Sequence, residues 1–343
     1  MKALVLSAYK QLDVVDMARP QPGEDELLIR IQACGICGSD VHGYDGSTGR
    51  RLPPIVMGHE AAGIVEAAGD AVSGFRLGDR VTFDSTVFCG RCFFCLRGQP
   101  NLCEEREVIG VSTPSFRCMG AFAEYVAVPA RIAYRLPDAM PFEHAALIEA
   151  VAVAVHAVSL TPIAIEDTVV VLGAGMIGLL TLQAARLAGA GRVFAVDVDD
   201  TRLTLARSLG ATGTFNSRDA GSLLELRGLT MGRGADAVLE CVGTSATVNL
   251  AIDLVRKGGA VTLVGNIAPT VELPLQSVVT RQIRLQGSCA SSGEYPACIS
   301  LMSRGAIQVA PLLSAVAPLE DGPMWFRRLH DREPGLLKIV LQP

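Results

Sequence analysis

The chain has 343 residues, half of them hydrophobic and 19% charged, with a formal net charge of −5. That is enough apolar material for about two cored domains. The charge balance and the lack of a dense Lys/Arg tract argue against nucleic-acid binding. The N-terminal stretch MKALVLSAYKQLDVVD has no sustained apolar core, so no secretory signal is expected and the expected compartment is the reducing cytoplasm.

Up to about residue 145 the chain reads as short strands, among them ELLIRIQACGI, AAGIVEAAG, DRVTFDS and AEYVAVP, with turns such as RPQPGED and RLPPI between them. This is the texture of a β-rich, irregular domain. Inside it lies DSTVFCGRCFFCLRGQPNLC, in which Cys89, Cys92 and Cys95 are spaced at two-residue gaps and Cys103 comes after seven more. Disulfides are disfavoured by the compartment and by the tight spacing. Half of a bacterial ferredoxin pattern is present, but there the next gap is three residues followed by proline, whereas here the gap is seven and Leu102 precedes Cys103. Four thiolates at short spacing suit a closed tetrahedral zinc site that has a structural role and no open position. An iron–sulfur cluster or an empty thiol cluster are the alternatives.

From about Glu149 the texture changes. Strand-like TVVVLGAG, RVFAVDVD, AVLECVG and AVTLVGN alternate with helix-like GLLTLQAARLAGA, TRLTLARSLGA and TVNLAIDLVRKGG. Such alternation predicts βαβ units around a parallel sheet. The run Thr168–Ala185 is 18 residues without a charge, a length that touches the membrane-helix threshold. Its three ordered glycines split it into strand, turn and helix, so no membrane span is expected. After about Gly287 the pattern is mixed and ends in the strand-like LLKIVLQP, with no internal repeat and no low-complexity linker.

The strand TVVVL runs into Gly173, Gly175 and Gly178 of a G-x-G-x-x-G turn that opens a helix, and Asp197 lies 19 residues after the third glycine. That context is the dinucleotide fingerprint. Gly173 permits the tight turn, Gly175 lets the backbone approach the pyrophosphate, and Gly178 allows close helix packing. Asp197 can accept from both ribose hydroxyls and would repel a 2′-phosphate, which favours NAD over NADP. Arg202 lies nearby. The plain alternative is a glycine-rich packing turn with an N-cap aspartate beyond it.

A nicotinamide enzyme also needs a group that polarises an alcohol or carbonyl. CGICGSDVH and MGHEAAGIVEAAG supply Cys37, His59 and Glu60 outside the four-cysteine segment, and these are zinc-ligand types. A third or fourth ligand is expected from the domain junction, where Glu149 stands in HAALIEAVAVAVHAV. Taken singly, each has a structural explanation: a buried thiol, a hydrogen-bonded core histidine, an ion-pair partner, a helix-start carboxylate.

Together they resemble a known family. Gly58-His59-Glu60 with Gly63, Gly69 and Val72 beyond it, and the order of Cys37, G-H-E, four cysteines and G-x-G-x-x-G, match the zinc-containing medium-chain alcohol dehydrogenases across essentially the whole chain. The resemblance implies an α/β architecture. A β-rich GroES-like catalytic domain (1–148 and 288–343) would carry the zinc, and a doubly wound Rossmann domain (149–287) would bind NAD. It implies two zinc ions per chain, a catalytic one on Cys37 and His59 with Glu60 or Glu149, and a structural one on Cys89, Cys92, Cys95 and Cys103. Ser39 fills the proton-relay position and His42 can pass the proton to solvent. Ile177, Arg202, Val242, Val264, Gly265 and Ser288 are implied nucleotide contacts. Glu149 in place of a second catalytic cysteine is similar to the polyol and threonine dehydrogenase branch, and His156 matches the polyol pattern better.

The implied reaction is hydride transfer between NAD and a secondary hydroxyl of a polyol or sugar alcohol. Sorbitol-type relatives carry an Arg-Tyr pair where this chain has Ala290 and Ser291 in GSCASS, which moves the expectation toward galactitol-phosphate-like or related substrates. Arg50 and Arg51 are candidates for a substrate phosphate or, equally, a solvated turn. An L-threonine 3-dehydrogenase and a non-catalytic NAD-binding protein are the alternatives. A small-molecule substrate, no nucleic acid, no membrane, and a homodimer or homotetramer complete the expectations.

Overall fold

The computed structural model describes residues 1–343, which pack as two units. One comprises Met1–Glu149, Ser292–Ser303 and Val309–Pro343, and the other Ala150–Ser291 with Arg304–Gln308.

The first unit is β-rich. Its main sheet runs Ala133–Arg135, Arg80–Phe83, Glu60–Ala68, Glu26–Gly35, Lys338–Gln342, Leu313–Pro318, and Tyr125–Pro129 pairs with Glu26–Gly35 off this path. All pairs are antiparallel except Leu313–Pro318 with Lys338–Gln342. The chain's last strand therefore closes against one of its first. Two registers fix the meeting point: Gly35 lies opposite Glu60, and Val340 lies opposite Gly35. They bring the end of ELLIRIQACG, the G-H-E segment and the C-terminal strand to one place. The core beneath contains Leu27, Ile29, Ile31, Phe83, Phe122, Phe326, Ile339 and Leu341, all nearly inaccessible to water.

The second unit is a six-stranded parallel sheet in the spatial order Gly213–Asn216, Arg192–Asp197, Thr168–Leu172, Ala235–Glu240, Val255–Leu263, Arg284–Gly287. Numbered along the chain from Thr168, that order is 3-2-1-4-5-6, the doubly wound arrangement that binds dinucleotides at its switch point. Every residue of Thr168–Leu172 is buried, as a central strand covered on both faces requires. The uncharged run from Thr168 is this strand and then the helix Met176–Leu187, as its glycines predict. The run that is long and apolar enough to cross a membrane is instead Phe142–Ser159, and 61% of it is buried inside the fold.

Candidate metal centres and nucleotide site

Cys37 comes just after the strand Glu26–Gly35 and begins the short helix Gly38–Tyr44. His59 and Glu60 enter from the neighbouring segment, where Gly58 adopts φ +95. That left-handed conformation is costly for other residues, and a Cβ at Gly58 would also press on Cys34 Sγ and Phe122. The candidate ligand atoms of Cys37, His59 and Glu60 all lie within 4.8 Å of one another. Glu149, at the start of the helix Ile148–Ser159, stands outside that cluster but within electrostatic reach of His59 and Glu60, and burial pushes its carboxyl up to about 7.

The surroundings of the cluster are built to orient it. Asp40 is fully buried; its Oδ2 accepts from the Cys37 N–H at 3.3 Å, and its Oδ1 lies 3.3 Å from His59 Nδ1. Burial opposes ionisation of Asp40, yet the His59 ring and the Arg51 guanidinium outweigh it and hold the carboxyl well below its usual range. With Asp40 behind Nδ1, the His59 Nε2 is the face left for a ligand, and it sits 3.5 Å from Ser39 Oγ. Such a carboxylate behind a metal-binding histidine fixes its tautomer and ring orientation.

Does the site fit a cation? His59 Nδ1 is buried and lacks a well-aligned hydrogen bond. Burial resists a charge on the ring, but Asp40 and Cys37 override it and push its pKa well above 6.5. The pocket thus draws positive charge to His59, and one thiol, one imidazole and a carboxylate form a zinc-type donor set. Glu60 is 1% exposed and is gripped by Lys338, whose Nζ donates to Oε2 at 2.6 Å, to Oε1 at 2.9 Å and to the Ile36 carbonyl at 3.0 Å. Burial lowers the Lys338 pKa, and the charges of Glu60 and Cys37 more than restore it.

Ser39 is exposed, and His42 lies three residues on along the same helix, half-buried. His156, on the helix Ile148–Ser159, is buried. Arg50 is exposed, whereas Arg51 is only 4% exposed and turned inward onto Asp40. Neither a solvated turn nor a free phosphate ligand describes Arg51: its donors are taken by Asp40, Ser39 and the Arg50 carbonyl. Asp40, Arg51 and Lys338 are the site residues sequence reasoning missed or misplaced. The one available signal was a lone lysine in an apolar terminal strand, LLKIVLQ.

The second cysteine group is compact. Ligand atoms of Cys89, Cys92, Cys95 and Cys103 lie within 4.8 Å of one another, with Cys89 and Cys95 Sγ 4.0 Å apart. Tetrahedral zinc with Zn–S near 2.3 Å places its sulfurs about 3.8 Å apart, so the four thiols fit it with little adjustment. Backbone N–H groups of Cys95 and Glu104 aimed at Cys92 lower its thiol to about 6, while burial and the Cys92 contact push Cys95 up to about 12, so without a metal the cluster forms its thiolate first at Cys92. All ten cysteines are free of disulfides.

In the second unit Gly173 has φ +90, and Gly178 packs so closely on the Gly173 carbonyl that no Cβ fits. The helix Met176–Leu187 starts at Gly175 with no side-chain cap, leaving first-turn N–H groups, Ile177 among them, for a phosphate. Asp197 Oδ2 accepts from the Ala174 N–H at 2.5 Å, and its Oδ1 accepts from Val198 at 2.7 Å and Asp199 at 3.0 Å. A carboxylate has about four acceptor positions, so Asp197 first ties the turn to the second strand and keeps capacity for a ribose hydroxyl. Arg202 faces Asp199 at 3.9 Å. The fully buried carboxylate of Glu240, which sequence reasoning overlooked, accepts from the Val242 and Gly243 N–H groups, while its backbone carbonyl accepts from Val264 and Gly265. Ser288 Oγ is buried and has no protein partner, which leaves it for a ligand. These groups stand at or just beyond the carboxyl ends of the strands.

Comparison with known proteins agrees with this geometry. Residues 23–138 match the alcohol dehydrogenase GroES-like domain and residues 177–304 the zinc-binding dehydrogenase family. Sorbitol dehydrogenase of Bacillus subtilis is 32% identical over 100% of this chain and 97% of its own length. L-idonate 5-dehydrogenase of Vitis vinifera is 35% identical over 90% of this chain and 85% of its own. A zinc-binding dehydrogenase structure from Sinorhizobium meliloti, bound to NADP, superposes with TM-score 0.89 at 34% identity, covering 100% of this chain and 99% of that one. The chain belongs to the zinc-containing medium-chain alcohol dehydrogenase family.

Proposed function

We propose that this protein oxidises a secondary hydroxyl of a polyol or sugar alcohol to the ketose, with NAD as acceptor. The observation that carries the reading is the convergence of Cys37, His59 and Glu60 within 4.8 Å, beside Ser39. Cys37 and His59, with Glu60 or Glu149, would hold the catalytic ion, and Cys89, Cys92, Cys95 and Cys103 the structural one. Zinc supplies Lewis-acid polarisation of the substrate oxygen, and NAD supplies the hydride acceptor.

The chain's own residues do the rest. Ser39 Oγ accepts the hydroxyl proton while releasing its own, and His42, on the same helix face, passes a proton to solvent. Asp40 fixes the His59 ring, and Lys338 fixes Glu60. The uncapped start of Met176–Leu187 takes the pyrophosphate, Asp197 the adenosine ribose, and Ser288 with the Val242, Val264 and Gly265 backbone a further part of the nucleotide. The Asp197 carboxylate opposes a 2′-phosphate, so NAD is preferred, in contrast to the NADP carried by the Sinorhizobium relative. The polyol class rests on carboxylates in place of a second catalytic cysteine and on relatives named for sorbitol and L-idonate. A cytoplasmic homodimer or homotetramer is the assembly this family membership supports.

The test is reduction of NAD, and separately NADP, by the zinc-loaded protein. Substrates are D-sorbitol, xylitol, L-idonate, galactitol 1-phosphate, L-threonine and ethanol. Turnover on a polyol, with threonine and ethanol slow, supports the reading. Turnover on threonine alone moves the chain to amino-acid oxidation, and faster NADP reduction refutes the role given to Asp197.

A further inference from the structure

We propose that Arg51 is a positioning residue that orients the Ser39 hydroxyl for proton transfer, an inference that rests on the relay reading above. A buried guanidinium is an expensive way to fill space, because its desolvation must be offset by paired acceptors. Here one fork of the planar group is spent on Asp40 Oδ1, with Nε at 3.3 Å and Nη2 at 3.0 Å. Nη1 donates to the Arg50 carbonyl at 3.0 Å, and Nη2 also reaches Ser39 Oγ at 3.4 Å. Asp40 is itself fixed by the Cys37 N–H, and the Arg51 backbone is held by a bridge to Ser112. Its stem crosses the helix at Gly43, where no Cβ would fit against the Arg51 Cγ. The fork is therefore held at both ends, and the direction of its hydrogen toward Ser39 is not free.

Donor and acceptor counts give this contact its effect. A serine hydroxyl has two acceptor lone pairs and one hydrogen, and a guanidinium only donates. With one lone pair taken by Arg51, the other is the one left for the substrate hydroxyl, and the serine's own hydrogen must turn to a third partner. In the step, the substrate O–H bond breaks as a new Oγ–H bond forms, and the original Ser39 proton leaves to water or His42. Arg51 gives and takes nothing. Its permanent charge beside Ser39 Oγ also eases loss of the serine's own proton, the half of the exchange that leaves Oγ free to accept. The 3.4 Å separation belongs to the substrate-free chain, where such contacts are often long and tighten on binding.

The experiment is a double-mutant cycle on the zinc-loaded full-length protein, with NAD and whichever of D-sorbitol, xylitol and L-idonate turns over fastest. Arg51→Lys keeps a charge against Asp40 but cannot fork onto Ser39. It is expected to lower kcat by about tenfold to a hundredfold while KM changes less than about threefold. Zinc content and the visible spectrum of the cobalt-substituted protein should match the parent. In a Ser39→Ala background the same change should cost nothing further, and millimolar guanidinium should restore part of the kcat of Arg51→Ala but none in the double variant. Unchanged kcat in Arg51→Lys, or losses that multiply in the double variant, would overturn the proposal and leave the relay standing. Parental turnover by Ser39→Ala alone would remove the relay itself.

Discussion

Replacing Lys338 by Met tests how the metal centre is held together. Lys338 is 2% exposed, and its ammonium donates to both oxygens of Glu60 and to the Ile36 carbonyl at 2.6–3.0 Å. Methionine fills much the same volume but leaves a buried carboxylate and a carbonyl without partners. Removing one member of a buried ion pair costs about 3–5 kcal/mol. At about 2–4 °C per kcal/mol for a unit of this size, the apparent Tm of the metal-free protein should fall by about 6–20 °C. The double variant Lys338→Met/Glu60→Gln should recover most of that loss, because the charge left behind is what makes the single change expensive. Thermal unfolding followed by circular dichroism measures both. A single variant within about 1 kcal/mol of the parent, or a double variant no better than the single, would show that Lys338 and Glu60 are not the buried pair described.

Three further substitutions probe the other parts of the molecule. Cys103→Ser should cost one zinc per chain and destabilise the segment around Cys89–Cys95 while nucleotide binding in the other unit persists, measured by metal analysis and NADH fluorescence. Asp197→Ala should weaken NAD binding by about tenfold to a hundredfold through lost ribose hydrogen bonds, and should narrow the gap between NAD and NADP. Asp236 bonds Arg256 at 2.6 Å and the Thr168 N–H at 2.8 Å. Burial opposes its ionisation, but these partners win and lower its pKa below 3.8. A depressed folded pKa contributes stability above the unfolded value that is lost as pH falls through the folded one. The stability gap between parent and Asp236→Asn should therefore be full near neutrality and shrink as the pH drops below 3.8. Equilibrium unfolding at several pH values checks the sign.

Much of the molecule was legible because its signals are local. The glycine turn after TVVVL and the four cysteines within Cys89–Cys103 declare their chemistry over a few residues, and strand–helix alternation predicted the parallel sheet. The cluster of Cys37, His59 and Glu60 was legible only as motif fragments, since Cys37 and His59 meet through the register of two strands. What stayed hidden depends on long-range closure. Lys338 reaches Glu60 across 278 residues, and nothing in LLKIVLQP says which acid it meets. Arg51 reads as a solvated turn in GRRLPP because its polarity is local, while its burial comes from the groove beside Gly43 and the acid at Asp40. Glu240 was overlooked for a similar reason: an acid ending an apolar strand looks like a boundary until the N–H groups of Val242 and Gly243 are seen to close on its carboxylate.

The most direct test of the division between a reactive and a structural metal is a zinc count on the parent and on Cys37→Ala, each paired with turnover and NADH binding. The two clusters predict two zinc ions per parent chain. The variant should keep one, lose turnover on every substrate, and bind NADH as tightly as the parent. A Cys37→Ala protein that retains full turnover with only the four-cysteine zinc bound would contradict the account at its centre.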